Sequence, residues 1–380
     1  MKCYKLSTSS NVKALFHALD VTREGSAIME QKAHLHFIYI QGLKTPAANI
    51  LKQDALSIGA DLAVPKETIT CKIPFVDVVL IANDKQLREL ARKEKVQPFG
   101  LKEVAAQLSQ FLFTCKNDFT VMGVLNANED SFFKGSRFSA DNALARIEKM
   151  IDDGAGIIDV GGVSSRPGSC GVSDKEELAR IAPIVDVIAS HKVYEKVHFS
   201  LDSYSPLCIE YALQRGVSIV NDITALMNDE VARMVAKYDA TVVLMHMQGE
   251  PQSMQHEPSY TNVMLEVDAF FQERIEKAKS FGIEKIVLDV GIGFGKNLEH
   301  NLTLLKHHEH FLHFGYPLLV GASRKSMIDK MIATPIEERL PGTLALHLKA
   351  YEHGASIIRA HDVKEHVQAL SVLRTLNLTL

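Results

Sequence analysis

Polar residues able to do chemistry recur in this 380-residue chain at a repeating position, the end of a short apolar run. In order they are Asn126, Asp159, Asp202, Asn221 with Asp222, His246, Asp289, the run Ser323-Arg324-Lys325-Ser326, and Arg359 with His361. Carboxylates and carboxamides supply hydrogen-bond acceptors and donors, and arginine, lysine and histidine grip oxyanions. A single buried Asn or Asp is usually a satisfied structural group, but eight clusters in phase imply a shared ligand. The stretch Gly156 to Gly168, G-I-I-D-V-G-G-V-S-S-R-P-G, shows the transition within one segment. Ile157, Ile158 and Val160 read as a strand covered on both faces, and Asp159, its single charge, needs a partner. After Gly161-Gly162 permit a sharp turn, two hydroxyls, Arg166 and Pro167 form a loop suited to an oxyanion.

Residues placed in this way need a scaffold that points many strand ends in one direction. From Phe119 onward an apolar run, a loop and a helical stretch recur eight times. The runs are Thr120–Leu125, Gly156–Val160, Val197–Leu201, Ser218–Val220, Thr241–Met245, Lys285–Leu288, Pro317–Val320 and Ser356–Ile358, with amphipathic segments such as Asn142–Ile151, Glu176–Ser190 and Val263–Phe281 between them. Eight βα units predict an α/β protein of the (β/α)8 barrel type over residues 119–380, with every polar strand end at one mouth. Residues 1–118 predict a small α/β extension: a strand at Leu35–Ile40, a helix at Asn49–Ile58, a strand at Phe75–Ala82, and helices at Gln86–Lys93 and Leu101–Phe113. Its role is not legible. His34 and His36, at strand spacing, mark a half-exposed strand.

A net charge of −4 argues against a nucleic-acid footprint. The five cysteines, Cys3, Cys71, Cys115, Cys170 and Cys208, are odd in number and lack a C-x-x-C pair, which fits a reducing compartment rather than a disulfide framework. No signal-peptide core or membrane-length apolar run is present, so the expectation is a cytoplasmic protein without membrane or nucleic-acid partners. Gly291-Ile292-Gly293-Phe294-Gly295-Lys296 has glycines, but at the wrong spacing for a dinucleotide or phosphate loop, and Asn297 stands where a metal-binding hydroxyl would be. The four histidines from His307 to His313 read as a solvated surface rather than a metal tract.

Taken together, Val121-Met122-Gly123-Val124-Leu125-Asn126, the Arg-Pro-Gly loop, Asn221-Asp222, Leu244-Met245-His246-Met247, Leu288-Asp289, Gly291 to Lys296, Ser323-Arg324-Lys325-Ser326 and Arg359-Ala360-His361-Asp362-Val363 resemble the dihydropteroate synthases. The resemblance runs from Phe119 to about Leu376 and leaves the extension outside. It implies condensation of 6-hydroxymethyl-7,8-dihydropterin diphosphate with 4-aminobenzoate to give 7,8-dihydropteroate and diphosphate, an alkyl transfer in folate biosynthesis, and a sulfonamide target. It also implies that Asp159, Asp202, Asn221, Met245, Asp289, Gly321 and Lys325 surround the pterin. Phe132, Ser165, Pro167, Phe294 and Ser326 would surround the aminobenzoate. Asn126, Asp130, Arg166, Lys325, Arg359 and His361 would serve the reacting centre, with Mg²⁺ at Asn126 bridging phosphate oxygens.

The chain departs from the family pattern in its loops at Asn128-Glu129, Val163 and Ser165, changes that bear on loop geometry and aminobenzoate affinity, and conservatively at Val290 and Ser203. Two alternatives stay open, a methyltetrahydrofolate-dependent methyltransferase of the same barrel and a non-catalytic pterin-binding paralogue. The fold suggests a homodimer through its last helices.

Overall fold

The computed structural model describes residues 3–4, 6–7, 10–112, 118–127, 140–163, 172–249, 254 and 256–378. The chain divides into one unit of Met1–Thr114 with Arg374–Leu380 and a second of Cys115–Leu373. In the first unit, helices α1 (Val12–Ala18) and α2 (Arg23–Glu30) precede β1 (Leu35–Lys44), α3 (Thr45–Ser57), β2 (Asp61–Ala63), β3 (Phe75–Asn83), α4 (Asp84–Glu94) and α5 (Leu101–Gln110). The strands form an antiparallel sheet in the order β1-β3-β2. Alternation along β3 turns Val76, Val78, Leu80 and Ala82 toward Leu51, Leu87, Leu90 and Leu101 in one apolar cluster. Asn83 and Gln86 form a reciprocal capping box that starts α4. No apolar period in the sequence marks α1, α2 or β2. Neither α1 nor α2 buries a residue, and three-residue β2 is too short to show a period.

The second unit is a closed eight-stranded barrel, and every pairing in it is parallel. Its strands are β4 (Thr120–Asn126), β5 (Ile157–Gly161), β6 (His198–Asp202), β7 (Ile219–Asp222), β8 (Thr241–Met245), β9 (Ile286–Asp289), β10 (Leu318–Val320) and β11 (Ala355–Ala360). The helices between them are α6 (Ala140–Asp152), α7 (Asp174–Ser190), α8 (Pro206–Leu213), α9 (Asp229–Lys237), α10 (Val263–Ser280) and α11 (Leu298–Lys306), with α12 (Ser326–Met331) and α13 (Leu340–Glu352) before β11 and α14 (Val363–Leu378) after it.

Met122, Ile157, Ile219, Val243, Val287 and Leu319 fill the barrel interior, while Ile158, Val160, Leu201, Val220, Leu244 and Leu288 pack in the larger cluster under the helices. Both strand faces are therefore covered, which is why these segments read as unbroken apolar runs. Several strands end one or more residues beyond the predicted apolar run, at Gly161, Asp202, Asp222 and Asp289. The ladder is made by the backbone, so a polar side chain does not end it.

Register places Asn126 beside Gly161, Gly161 beside Asp202, and Asp202 beside Asn221. One layer of the mouth is thus built from four neighbouring strands.

Candidate active site

Asp202, Asn221, Met245, Asp289, Phe294, Gly321, Lys325 and Arg359 line a single cavity at the barrel mouth, together with Ile223 and Ile292. The sequence had singled out the first eight but not the two isoleucines, whose apolar type carries no site signal. Behind the cavity, the fully buried Asp159 finds the partner its position demands. Its Oδ2 accepts from Arg359 Nε at 2.6 Å and from Asn221 Nδ2 at 3.2 Å. The same guanidinium reaches Asp202 Oδ2 through Nη2 at 2.7 Å. Arg359 therefore holds two carboxylates with one rigid fork; burial works against its charge, but Asp159 and Asp202 together outweigh it and raise its pKa above the already high arginine value. Asp159 Oδ1 is buried with no hydrogen-bond partner.

Burial pushes the Asp202 carboxyl up to about 7, against the pull of Arg359 and with help from Asp159. Burial also raises Asp289, whose Oδ1 accepts from Gly291 N at 2.8 Å. A carboxylate oxygen has a second lone pair, so this bond leaves Asp289 able to accept from a ligand.

The loop after β9 is shaped by close backbone approach. Gly291 has φ +66°, and a Cβ there would lie 2.0 Å from the His246 carbonyl oxygen. At Gly295, with φ +60°, a Cβ would lie 2.3 Å from the Gln248 carbonyl oxygen. Lys296, only 1% exposed, ties the loop together by donating from Nζ to the carbonyls of His246, Gly291 and Phe294 at 3.1, 3.1 and 2.9 Å. Burial pulls its pKa down to about 7, while Asp289 favours the charged form. Asn301 completes the knot, accepting from Gly293 N and donating to the carbonyls of Lys296 and Asn297. The loop so fixed presents the Phe294 ring 4.3 Å from Lys325 Nζ. The glycine-rich run is thus neither a phosphate loop nor a dinucleotide loop, and the role of its lysine was not legible from spacing.

The loops after β10 and β11 are bonded to one another. Ser323 Oγ meets His361 Nδ1 at 2.9 Å, and Arg324 pairs with both carboxylate oxygens of Asp362 at 3.1 and 2.6 Å. Beneath them, Ala322 N donates to His347 Nε2 at 2.9 Å, His347 Nδ1 lies 2.8 Å from His366 Nε2, and His366 Nδ1 lies 2.6 Å from the Asp362 carbonyl. One set of neutral tautomers satisfies every link: each ring accepts at Nε2 and donates at Nδ1. His347 and His366 are fully buried, and nothing in their spacing predicted this chain.

Two members of the predicted ring of eight belong to the fold instead. Asp222 is fully buried and accepts from Thr224 N, Thr224 Oγ1 and Leu226 N, which closes the turn after β7. His246 packs edge to face on Phe270, and burial beside Lys296 depresses its pKa to about 2. Ser326, the first residue of α12, is exposed and does not line the cavity. Asn126 and His361 are half-buried at the ends of their strands, outside the set that lines it. Asp130, Phe132, Ser165, Arg166 and Pro167 lie outside the described residues. The histidine tract was misread: His308 is fully buried, and His310 and His313 turn onto Asp268.

A closed parallel barrel with buried carboxylates, a carboxamide and two cations converging at its mouth defines the (β/α)8 enzyme class, whose sites lie at that face. A family model described as pterin binding enzyme matches residues 122–361. The dihydropteroate synthase of Escherichia coli (strain K12) is 45% identical over 256 residues, covering 67% of this chain and 90% of that protein. A bifunctional dihydropteroate synthase/dihydropteroate reductase of Helicobacter pylori is 42% identical over 352 residues, covering 92% of this chain and 93% of its own. The crystal structure of the Yersinia pestis dihydropteroate synthase with a sulfonamide drug complex aligns with a TM-score of 0.65 at 39% identity, covering 70% of this chain and 99% of that one. The chain belongs to the pterin-binding enzyme family, in its dihydropteroate synthase branch.

Proposed function

We propose that this chain condenses 6-hydroxymethyl-7,8-dihydropterin diphosphate with 4-aminobenzoate, forming 7,8-dihydropteroate and releasing diphosphate. The observation that carries the reading is the convergence of Asp202, Asn221, Asp289, Lys325 and Arg359 on one cavity. An aminopyrimidinone edge offers adjacent donors, which the Asp289 carboxylate accepts, while Lys325 donates to the ring carbonyl. Asn221 and Asp202 serve the rest of the ring perimeter, with Met245 as a soft wall. Bond breaking separates the pterin methyl carbon from the diphosphate oxygen and develops negative charge on the leaving group. Arg359 and His361 stand on β11 and its following loop to stabilise that charge. The aminobenzoate nitrogen then bonds to the methyl carbon and loses a proton, and Phe294 supplies a face for its ring. No protein nucleophile is needed.

For magnesium, the end of β4 offers the Asn126 Oδ1 oxygen, 3.5 Å from where a Cβ on Gly161 would lie, while the nearby Asp202 Oδ2 is held by Arg359 Nη2 at 2.7 Å. Hard cations take oxygen ligands and share them with phosphates. Asn126 would hold the ion there, and the ion would neutralise charge on the diphosphate.

These roles are tested with Arg359→Lys and His361→Ala in calorimetric titrations of the pterin diphosphate and of the unphosphorylated pterin. The diphosphate should lose affinity in both variants while the unphosphorylated pterin loses little. Equal losses for both ligands would assign the two residues to the fold alone.

A second activity is favoured by the extent of the match. The Helicobacter pylori protein, named for a reductase as well as a synthase, aligns with 92% of this chain, including most of the extension, whereas the Escherichia coli enzyme aligns with 67%. We infer that this chain also reduces dihydropteroate, by two electrons and two protons, at the expense of a hydride donor. Oxidation of reduced nicotinamide, with and without added flavin, that depends on dihydropteroate would support this reading, and the absence of such oxidation would remove it. Localisation in the cytoplasm and sulfonamide binding belong to the same proposal. Among the described residues no helix is long and apolar enough to cross a membrane, and Cys3, Cys71 and Cys208 are free thiols.

A further inference from the structure

We propose that Asp268, His310 and His313 form a binding site for a divalent transition metal of the zinc class, separate from the catalytic mouth. The observation behind this is a convergence that the sequence does not show. His310 and His313 lie in a 3₁₀ helix, His308–Phe314, that leads toward β10. With three residues per turn, positions three apart eclipse, so the two imidazoles project on one side. Their ring centroids are 5.0 Å apart. Both Nε2 atoms approach the same oxygen of Asp268 on α10, His310 at 2.9 Å and His313 at 2.6 Å. All three candidate ligand atoms lie within 4.8 Å of one another.

The donor set decides the metal class. Two imidazole nitrogens and one carboxylate oxygen suit zinc, cobalt or nickel and disfavour magnesium and calcium, which take oxygen ligands. Zinc bonds of about 2.0–2.2 Å in tetrahedral array hold ligand atoms about 3.3 Å apart. The two nitrogen-to-oxygen separations reach that spacing if each ring withdraws from Asp268 by less than about 1 Å, and the two nitrogens, within 4.8 Å of each other, would turn toward the ion. The side chains of Asp268, His310 and His313 are 26%, 23% and 8% exposed, so solvent has access to complete the coordination. Phe311 packs edge to face on His310 at 5.0 Å and on Phe271 at 5.5 Å, which buttresses that imidazole. A metal here would clamp α10 to the segment that feeds β10, the strand whose loop carries Ser323, Arg324 and Lys325.

The test is metal binding by the full-length, chelator-treated protein, read without reference to turnover. Cobalt(II) is titrated while its visible absorption is followed, and zinc(II) is titrated by calorimetry. The protein should bind one equivalent of each with a nitrogen-ligand cobalt spectrum, and zinc should raise the melting temperature. His313→Gln and Asp268→Asn keep the size of each side chain, and their circular dichroism reports folding. Each should weaken binding by at least the roughly 10–100-fold that loss of a supporting partner costs a metal site. Binding unchanged in both folded variants, or displacement of cobalt by magnesium at equal concentration, would overturn the proposal. No binding to the unaltered protein would do the same, leaving Asp268 as a hydrogen-bonded acid between two histidines.

Discussion

Arg359 is at once a candidate for the reacting centre and the counterion of two acids. Asp159 is fully buried, so removing its partner would leave an uncompensated charge in the barrel. Breaking a buried pair in this way costs about 3–5 kcal/mol. Arg359→Ala should therefore lower the unfolding free energy by about that amount in urea titrations, whatever it does to substrate. A loss below about 1 kcal/mol, the range of an exposed pair, would show that the contact does not hold the fold. Asp289→Asn tests the pterin anchor instead. It turns an acceptor into a donor at nearly constant size, and loss of a charge-assisted bond should cost about 1.5–3 kcal/mol of pterin affinity by calorimetry. Unchanged affinity would place the ring elsewhere. At this scale the sequence located the polar lining of the cavity, as for Asp202, Asn221, Asp289, Lys325 and Arg359, because their types stand out at the ends of apolar runs. It misled at Asp222 and His246, because a polar residue that caps a turn or fills a core is identical in type to one that faces a ligand.

Elements reach the site through loops that bond to each other. Lys296 spends its ammonium on three carbonyls of the β9 region, and replacing it by Met would leave those acceptors without their donor. Each unsatisfied buried group costs about 1–3 kcal/mol, so Lys296→Met should destabilise the protein by at least one such step and raise the Michaelis constant for aminobenzoate through a looser Phe294. A melting temperature equal to that of the unaltered chain would contradict the loop's description.

The His347–His366 chain makes a prediction about pH. Burial holds His347 well below the ordinary imidazole value, with His366 and His361 adding to the effect. The folded protein keeps this ring neutral where the unfolded chain takes up a proton, so stability present above about pH 6.5 is lost as pH falls. His347→Gln can keep both hydrogen bonds and cannot titrate. The stability difference between the unaltered chain and this variant should shift in the variant's favour by up to about 1.4 kcal/mol per unit below pH 6.5. A difference that stays constant from pH 7 to 5 would show that His347 is protonated in both states. Neither device was legible beforehand, since both depend on residues far apart in the chain meeting beneath a loop.

The whole molecule joins a synthase barrel to a smaller sheet unit, and the two were unequally legible. Eight apolar runs in phase gave away the barrel because a parallel strand buried on both faces leaves an unbroken signature. The extension showed its main strands and helices, but α1 and α2, with no buried residue, carry no such mark. Val163, two residues beyond β5, and Ser165 depart from the family pattern, so whether the barrel is a working synthase is decided by turnover. The most direct measurement supplies purified full-length protein with the pterin diphosphate, 4-aminobenzoate and Mg²⁺, and quantifies dihydropteroate and diphosphate by chromatography. Equal amounts of both products, formed only when both substrates are present, are the predicted result. Binding of the pterin diphosphate with no dihydropteroate formed would contradict it and make this chain a pterin-binding protein without synthase activity.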